Sequence, residues 1–525
     1  MTRPCACLAA SLLWLFAPPA LAQTLPDDID ISASPNGVVP LPGSVSPVFT
    51  NVFGRYTKIV APNGKAIHFL LQDQVTDEMA VRARETMRFY LTDVPGTAFG
   101  ADKTAVANSM ADLDATLVYF NTEQDAFLAL IGPLGGSPMF FQDLYAEESV
   151  VEGTPPYATN SVRDATLEEV FHLVHGSGIL PTLPAYHQEI VAATNAAIAA
   201  GFYDPPFGLP PQDNPFEYII SVIDVHYGFW AHNPSGDGTS FGGEYDFHTL
   251  EEVEAGDPAG LAAMLAFLPP HFAAHLEVAP TLAADFRMSF EPALEYTLKS
   301  QYLCNLRLSG ANSNALLGNA RDNELGGNAG DNLIDGAAGD DVALFRGPLA
   351  EYTVQCDAGG FVVADTVAAR DGTDTLLSIE RLRFADQEVD ADQFCPTASA
   401  SVRNGSGVNP VCLASTAPPA LGCTWTAEVD TSGHPGAVLT FVASFSAAES
   451  GVPLAIGELL VDPGSIPAFS SSAAPAGGVA LHAMPLPYIA SAMGLPLFAQ
   501  GLIASAELEL CKARDVGLGV GDGAD

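Results

Sequence analysis

A glycine-rich segment over residues 309–344 repeats with a period of nine residues. Glycine opens each repeat, an asparagine or aspartate follows five positions later, and an apolar residue stands two positions after that. The aligned residues are Gly318, Gly327 and Gly336, then Asn323, Asn332 and Asp341, then Leu325, Ile334 and Ala343. Such a nonapeptide predicts a parallel β-roll, because each repeat can supply one tight turn and one short strand that stacks on its neighbours.

The acidic and amide side chains of these turns predict a calcium site, because hard cations prefer oxygen ligands. The candidate calcium ligands are Asn323, Asp331, Asn332, Asp340 and Asp341. Asparagine stands in place of aspartate at positions 314, 323 and 332. We therefore expect calcium binding to be weak, or limited to the region of Asp331, Asp340 and Asp341. A metal-free, purely structural roll is the alternative.

The segment resembles the hemolysin-type calcium-binding nonapeptide repeats of secreted bacterial toxins and proteases. Residues 351–386, which include the run Asp-Gly-Thr-Asp-Thr-Leu-Leu-Ser-Ile-Glu-Arg-Leu at 371–382, resemble the β-rich cap that follows such repeats. The resemblance implies calcium as a cofactor and a β-roll with its cap over residues 306–395.

Residues 164–176 have the pattern of an amphipathic helix. Thr166 followed by Glu169 is a capping-box pattern. The apolar face consists of Leu167, Val170, Phe171 and Val174. Gly176 and Gly178 are expected to end the helix. Glu168, His172 and His175 fall on one stripe beside that face. A cation shared by Glu168 and His172 is a natural prediction, since the two residues are one helical turn apart.

Around this helix the sequence predicts a mixed α+β domain over residues 51–305. The predicted elements are a hairpin turning at Asn63-Gly64, a strand at 116–120, and helices at 76–91, 123–130, 186–200 and 214–230. Residues 168–172 occupy the place of the His-Glu-x-x-His motif of zinc peptidases. Residues 214–224 resemble the glutamate-bearing helix of gluzincin metallopeptidases related to anthrax lethal factor. The resemblance implies a zincin-like fold.

The same resemblance implies roles for individual residues. Glu169 would be the catalytic base, His172 a metal ligand, and Glu168 the replacement for the first histidine. A third ligand could be His175, Glu217 or Asp224, since Ser221 stands at the expected carboxylate position. These departures predict a divergent or inactive metallopeptidase-like domain that binds zinc or another divalent metal, with the acidic ligands favouring a harder ion. The alternative is that the acids complement the helix dipole and the histidines border the core.

Residues 1–22 have the pattern of a secretory signal peptide, and we expect a secreted, extracellular protein without a transmembrane segment. The 62 acidic and 20 basic residues give a formal net charge of −42, which disfavours nucleic acid as a partner. An unknown protein or cell surface is the expected partner. Six cysteines follow the signal peptide, and an even number in an exported chain predicts disulfides of undetermined connectivity.

The remaining regions complete the predicted organisation. Residues 23–50 read as a flexible leader. Residues 396–525 predict an all-β sandwich with a flexible tail, similar to C-terminal modules of other exported bacterial proteins. The predicted function is a secreted calcium-binding protein with a divergent or inactive metallopeptidase-like domain. The alternative is a non-enzymatic extracellular binding or surface-interaction protein with no transition-metal site.

Overall fold

The computed structural model describes residues 24–519 apart from short internal stretches. The stretches left out are 136–138, 230–242, 358–359, 396–397, 416–418, 422, 435–437, 446–447, 463, 465–466, 475–477, 487–491 and 493. The predicted signal peptide at 1–22 and the last residues of the predicted tail lie outside the described residues. No described helix has the length and apolar character needed to cross a membrane.

The chain divides into two compact units. The first comprises Met1–Glu351, Asp365–Ile379 and Arg383–Asp386, and the second comprises Tyr352–Ala364, Glu380–Leu382 and Gln387–Asp525. The first unit mixes helices and strands, whereas the second is rich in β-structure.

A mixed five-stranded sheet opens the first unit, in the order β1-β2-β3-β4-β5. Its strands are β1 (Val39–Pro40), β2 (Arg55–Val60), β3 (Ala66–Leu71), β4 (Thr116–Phe120) and β5 (Phe141–Tyr145). The β1, β2 and β3 strands pair antiparallel, and the β3, β4 and β5 strands pair parallel. Every residue of β3 and β4 is buried, which is typical of strands covered on both faces. The predicted hairpin at Asn63-Gly64 is confirmed, and Gly64 supplies the left-handed φ of +84° that its turn requires.

The first unit also contains helices. They are α1 (Pro47–Thr50), α2 (Asp77–Leu91), α3 (Thr104–Asp112), α4 (Glu123–Leu130), α5 (Pro155–Thr159), α6 (Thr166–Val174), α7 (Leu180–Thr182), α8 (Pro184–Ala200), α9 (Asn214–His226), α10 (Leu250–Gly256), α11 (Pro258–Leu265) and α12 (Thr297–Ser300). Thr76 caps α2 by accepting a hydrogen bond from the Met79 N–H at 3.2 Å. The predicted continuation of α9 to residue 230 falls partly outside the described residues.

The two ends of α6 differ from the predicted ones. Thr166 does not form the capping box, because its hydroxyl donates to Asp164 Oδ1 at 2.8 Å and Asp164 also accepts the Thr166 N–H. The helix does not end at Gly176 either. It continues through a π-helical turn, His175–Ile179, into α7. Both glycines of the motif lie in this wider π-turn. A Cβ atom at Gly176 would meet Phe140, and one at Gly178 would meet Val106.

The packing of residues 24–50 differs from the flexible leader predicted for 23–50. Their apolar side chains belong to a buried cluster with strands of the sheet, and β1 pairs with β2. The leader residues in this cluster are Leu25, Ile29, Val39, Leu41, Val45 and Phe49. Proline, serine, aspartate and glycine are frequent in this segment, but the apolar residues between them are enough to bury it.

Short parallel strands occupy the period-nine segment and its flanks. They are β6 (Phe272–Val278), β7 (Phe286–Arg287), β8 (Leu303–Leu308), β9 (Ala315–Leu317), β10 (Glu324–Gly326), β11 (Leu333–Asp335) and β12 (Val342–Leu344). After them come β13 (Tyr352–Asp357), β14 (Gly360–Asp365), β15 (Thr373–Leu377), β16 (Arg381–Arg383) and β17 (Glu388–Asp390). The parallel pairing starts before residue 306, because β6 already pairs with β8.

Strands of successive repeats alternate between two sheets. Leu325 pairs in parallel with Leu306 and Ala343, while Ile334 pairs with Leu316 and Leu376. Residues two repeats apart in sequence therefore lie side by side, and their apolar side chains point into a common interior. Leu316, Leu325, Ile334 and Ala343 are all completely buried.

The second unit contains antiparallel sheets in the orders β18-β27-β26-β21-β24, β19-β20-β25 and β22-β23. These strands are β18 (Ser399–Arg403), β19 (Leu413–Ser415), β20 (Thr424–Asp430), β21 (Val438–Phe445), β22 (Ala448–Leu454), β23 (Gly457–Val461), β24 (Pro467–Ala474), β25 (Val479–Pro485), β26 (Pro496–Ala504) and β27 (Leu508–Gly517). Trp425 on β20, Val442 on β21 and Ile503 on β26 share one core.

Disulfides are present in the second unit, as predicted. Cys356 is bonded to Cys395, and Cys412 to Cys511. Cys304, which is buried in the first unit, and Cys423, which is exposed in the second, are free thiols. Of the six cysteines after the signal segment, four therefore form two disulfide bonds and two are free.

Candidate metal centre

Two helices bring the candidate ligands together. The apolar face of α6 is buried through Leu167, Val170, Phe171 and Val174, which leaves Glu169 and His172 on a flank of the helix. Helix α9 contributes Glu217 from its first turn. Pro215 starts α9 at a position where its missing N–H costs nothing.

His172 lies between two carboxylates. Its Nδ1 atom is 3.6 Å from Glu169 Oε2, and its Nε2 atom is 3.9 Å from Glu217 Oε1. Glu168, Glu169 and His172 also each offer one ligand atom within 4.8 Å of the others. A divalent ion with bonds of about 2.0–2.2 Å can be shared by two atoms at these separations. The 3.9 Å gap is too long for a hydrogen bond, so an ion could lie between His172 and Glu217.

The electrostatics of His172 are those of a group held by anions. Burial acts to lower its pKa, but the negative charges of Glu217 and Glu169 outweigh burial and raise the pKa to about 9. Burial raises the pKa of Glu169, while His172 acts in the opposite direction. Without a metal, the imidazolium of His172 therefore supplies the positive charge that these carboxylates need.

Neighbouring side chains fix the two acids of α6. The amide of Gln142 on β5 donates from Nε2 to Glu169 Oε2 at 2.5 Å. Arg163 forms an ion pair with Glu168 just before the helix begins. Glu168 is thus neutralised by arginine in this structure, whereas Glu169 faces His172. Because Glu168 forms this ion pair, Glu217 becomes the better candidate ligand.

Two further carboxyl groups extend the group into an acidic cluster, which we define as Glu148, Glu168, Glu169, Glu217 and Glu244 around His172. Burial, followed by repulsion from Glu169, raises the pKa of Glu148 to about 8. Burial, followed by repulsion from Glu217, raises the pKa of Glu244 to about 7. Clusters of carboxyl groups with raised pKa values are frequent at metal and catalytic sites.

The sequence reasoning missed Glu148, Glu244, Gln142 and Arg163. Glu148 lies in a short 3-10 turn after β5, and Glu244 lies in an irregular segment before α10. No spacing in the sequence connects them with α6, since the fold alone brings them there. In the sequence, the Glu-Tyr-Asp-Phe-His run at 244–248 is the feature that could have pointed to Glu244.

Two predicted ligands lie elsewhere. His175 is in the π-turn, fully buried, with its Nε2 atom 3.0 Å from His187 Nδ1 and its ring stacked on Phe216. Burial, then His187 and His172, lower the pKa of His175 well below its usual value. This histidine packs against an aromatic ring and faces His187, and its role as a ligand of the same ion stays a prediction.

Asp224 is the second of these predicted ligands. It is buried on α9, two helical turns beyond Glu217, which places its backbone about 10 Å further along the helix axis. Its charge acts on Tyr90, whose hydroxyl donates to the Leu167 carbonyl oxygen at 3.1 Å. Asp224 therefore acts on Tyr90 of α2 and lies further along α9 than Glu217. Ser221 donates its hydroxyl to the Glu217 carbonyl oxygen at 2.8 Å.

No protein-family model matches this chain, and no curated protein matches it either. The chemistry of the acidic cluster is therefore inferred from the geometry of its side chains. An imidazole with a carboxylate opposite each ring nitrogen, on two adjacent helices, can hold a divalent cation or bind a proton in its place.

The predicted calcium ligands lie at two kinds of position in the period-nine segment. Asn323, Asn332 and Asp341 point inward and are at most 3 % exposed. Asp331 and Asp340 are exposed. Asp331 Oδ1 accepts the Thr373 N–H at 2.8 Å, so it links a repeat turn to a later segment.

Asp374 is an inward-facing carboxylate that the sequence reasoning missed. It lies beside Asn332, because Thr375 pairs with Leu333, and its Oδ1 accepts the Asn332 N–H at 2.9 Å. Its Oδ2 is buried and has no hydrogen-bond partner among the described residues. Burial, together with Asp371 and Asp331, raises the pKa of Asp374 to about 8 although the Asn332 N–H acts to lower it. A nearby cation would reverse that shift.

Proposed function

We propose that the first unit is a divergent metallopeptidase-like domain that binds one divalent metal ion between α6 and α9. The observation that carries this proposal is the placement of His172 between Glu169 and Glu217. Glu217 comes from the helix that the resemblance to gluzincins identifies as the second ligand-bearing helix. An ion in the gap between His172 Nε2 and Glu217 would have one imidazole and one carboxylate ligand, which suit zinc and also harder ions such as manganese.

The arrangement of the domain supports a zincin-like scaffold. The mixed sheet precedes α6 in the chain, its parallel strand β5 supplies Gln142 to Glu169, and α9 packs beside α6. We include in the proposal that the period-nine segment is a β-roll and that the sheets of the second unit form a β-sandwich. Export of the chain, as the signal pattern implies, belongs to the same proposal.

The proposed centre differs from that of an efficient peptidase. A bound metal would supply Lewis acidity and lower the pKa of a coordinated water. Glu169 would have to accept the proton of that water as the catalytic base. In this chain Glu169 instead contacts His172 and is held by the Gln142 amide. We therefore expect metal binding with little or no peptide hydrolysis.

Metal stoichiometry of the full chain tests this proposal. The purified protein is stripped with chelator, dialysed against zinc or manganese, and assayed by elemental mass spectrometry. We expect one tightly bound ion per chain, and its loss in H172A and in E217Q. The matched controls are H187A, which removes the neighbouring histidine, and E189Q, which removes an exposed carboxylate on α8.

Two outcomes would contradict the proposal. One is the absence of a stoichiometric ion in the wild-type chain, which would favour a non-enzymatic binding protein without a transition-metal site. The other is unchanged binding in both H172A and E217Q, which would place the ion elsewhere.

Calcium binding in the period-nine segment is a second proposed function. The observation that favours it is the pair of buried aspartates, Asp341 and Asp374, each of which points into the interior of a turn. Carboxylate oxygens of this kind fit a hard cation. Calcium is expected to raise the melting temperature of the full chain, and D341N and D374N are expected to reduce that rise. An identical rise in the D341N/D374N double variant would contradict this assignment.

A further inference from the structure

Two positions of the period-nine repeat change together. The second and sixth positions are Asn319 and Asn323 in one repeat and Asn328 and Asn332 in the next. We call these the asparagine pairs. In the following repeat the same positions hold Ala337 and Asp341. The three repeats that begin at Gly318, Gly327 and Gly336 therefore carry either two amides or an alanine with a carboxylate, whereas the repeat at 309–317 has Gly310 and Asn314.

The orientation of the sixth-position amides is fixed by the backbone. Asn323 Oδ1 accepts the Asn319 N–H at 3.0 Å, and Asn332 Oδ1 accepts the Asn328 N–H at 2.9 Å. A backbone N–H can only donate, so the side-chain oxygen must face it. The NH₂ group of each amide then points away from its own turn.

The NH₂ groups of the second pair donate to carbonyl oxygens of an earlier turn. Asn328 Nδ2 lies 3.0 Å from both Ser309 O and Asn312 O. Asn332 Nδ2 lies 3.1 Å from Asn312 O and 3.4 Å from Asn314 O. The interior carbonyl groups of turn 309–314 thus have N–H donors.

The first pair repeats this arrangement. Asn319 Nδ2 donates to Leu303 O at 2.7 Å and to Gln301 O at 3.2 Å. Asn323 Nδ2 donates to Asn319 Oδ1 at 3.1 Å, which links the two amides of the pair. All four asparagines of the two pairs are at most 5 % exposed. Their hydrogen bonds are therefore shielded from water, where loss of a partner is costly.

We propose that the asparagine pairs replace bound cations, so that their turns are stable without calcium. Only the turns that contain Asp341 and Asp374 bind calcium. A cation in an asparagine turn would face the positive ends of N–H groups, and the carbonyl oxygens that could ligate it already accept hydrogen bonds. The side chain of Ala337 cannot donate a hydrogen bond, so the turn with Asp341 lacks the amide donor that would replace a cation. The calcium part of this inference rests on the second proposed function, whereas the stability of the asparagine turns does not.

Three variants of the full chain test the inference, with calcium stoichiometry and melting temperature measured in calcium and in chelator. N332A removes amide donors without adding charge. It should lower the melting temperature in chelator by about 2–5 °C and leave the calcium stoichiometry at the wild-type value. N328A/N332D copies the Ala337 and Asp341 pair. It should bind one more calcium ion than wild type and regain stability when calcium is added. D341N makes the reverse change, aspartate to asparagine, at the sixth position of the following repeat.

The outcomes separate the inference from the proposed calcium function. If N332A binds one calcium ion fewer than wild type, the asparagine turn is a calcium site and the inference is wrong. If N332A melts like wild type in chelator, the amides do not support the turn and the inference is also wrong. If D341N binds as much calcium as wild type while N332A behaves as expected, the proposed function of Asp341 fails and the asparagine turns remain metal-independent.

Discussion

Replacing Arg82 by alanine is expected to destabilise the first unit by about 3–5 kcal/mol, because it leaves the buried Glu152 and the largely buried Asp164 without their cation. The Arg82 side chain is 2 % exposed, its Nε atom lies 3.1 Å from Glu152 Oε2, and its NH1 atom lies 2.7 Å from Asp164 Oδ2. The Glu152 side chain is completely buried. Calorimetry of the full chain, followed through the transition of the first unit, measures the loss.

The effect of this substitution should extend to the proposed metal centre. Asp164 accepts the N–H groups of Val150 and Thr166, and so fixes the start of α6. Without Arg82, the helix that carries Glu169 and His172 loses this anchor. We therefore expect weaker metal binding in R82A even at temperatures where it is folded.

An exposed arginine of the same helix provides the control. Arg88 pairs with Glu85 at 3.0 Å, and its side chain is 50 % exposed. Such surface pairs contribute less than about 1 kcal/mol. R88A should therefore melt close to the wild-type temperature, and a loss in R82A no larger than in R88A would refute the role given to the buried pair.

The affinity of the centre for zinc or manganese is expected to rise about 50-fold between pH 7 and pH 9. The pKa of His172 is raised to about 9 in the metal-free protein, so its imidazole carries a proton through most of this range. A metal can bind the ring nitrogen only when that proton leaves, which costs about tenfold in affinity per pH unit below the pKa. Above about pH 9 the dependence should flatten.

Competition titrations with a buffered chelator at several pH values measure this slope. H187A is the appropriate comparison, because His187 contacts the neutral His175 and not the proposed ligands. Its slope should equal that of the wild type. A wild-type affinity that is constant between pH 7 and pH 9 would mean that His172 does not ligate the ion.

Much of the α/β region could be predicted from local sequence patterns. The strand at 116–120 and the helix at 123–130 agree with the structure, because capping residues and buried apolar runs act over a few residues. The cap of α6 could not be predicted in the same way. Thr166 has the right spacing for a capping box, yet its N–H and hydroxyl donate to Asp164, which pairs with Arg82 from another helix.

The candidate site shows the same limit. His172 and Glu169 were found because one helical turn separates the residues of a motif, whereas Glu148 and Glu244 enter the acidic cluster from turns far away in sequence. His175 was assigned to the site by helical spacing alone, but the π-turn and Phe216 direct it toward His187. Asp374 escaped notice because it lies outside the nonapeptide period, and only strand pairing places it beside Asn332.

The central claim is that α6 and α9 together hold a divalent ion at His172. Anomalous diffraction from crystals of the full chain grown with manganese tests this most directly. We predict an anomalous peak about 2.0–2.3 Å from a ring nitrogen of His172 and from a carboxylate oxygen of Glu217 or Glu169. Absence of a peak at this position, with His172 held between the two carboxylates as an imidazolium, would contradict the claim.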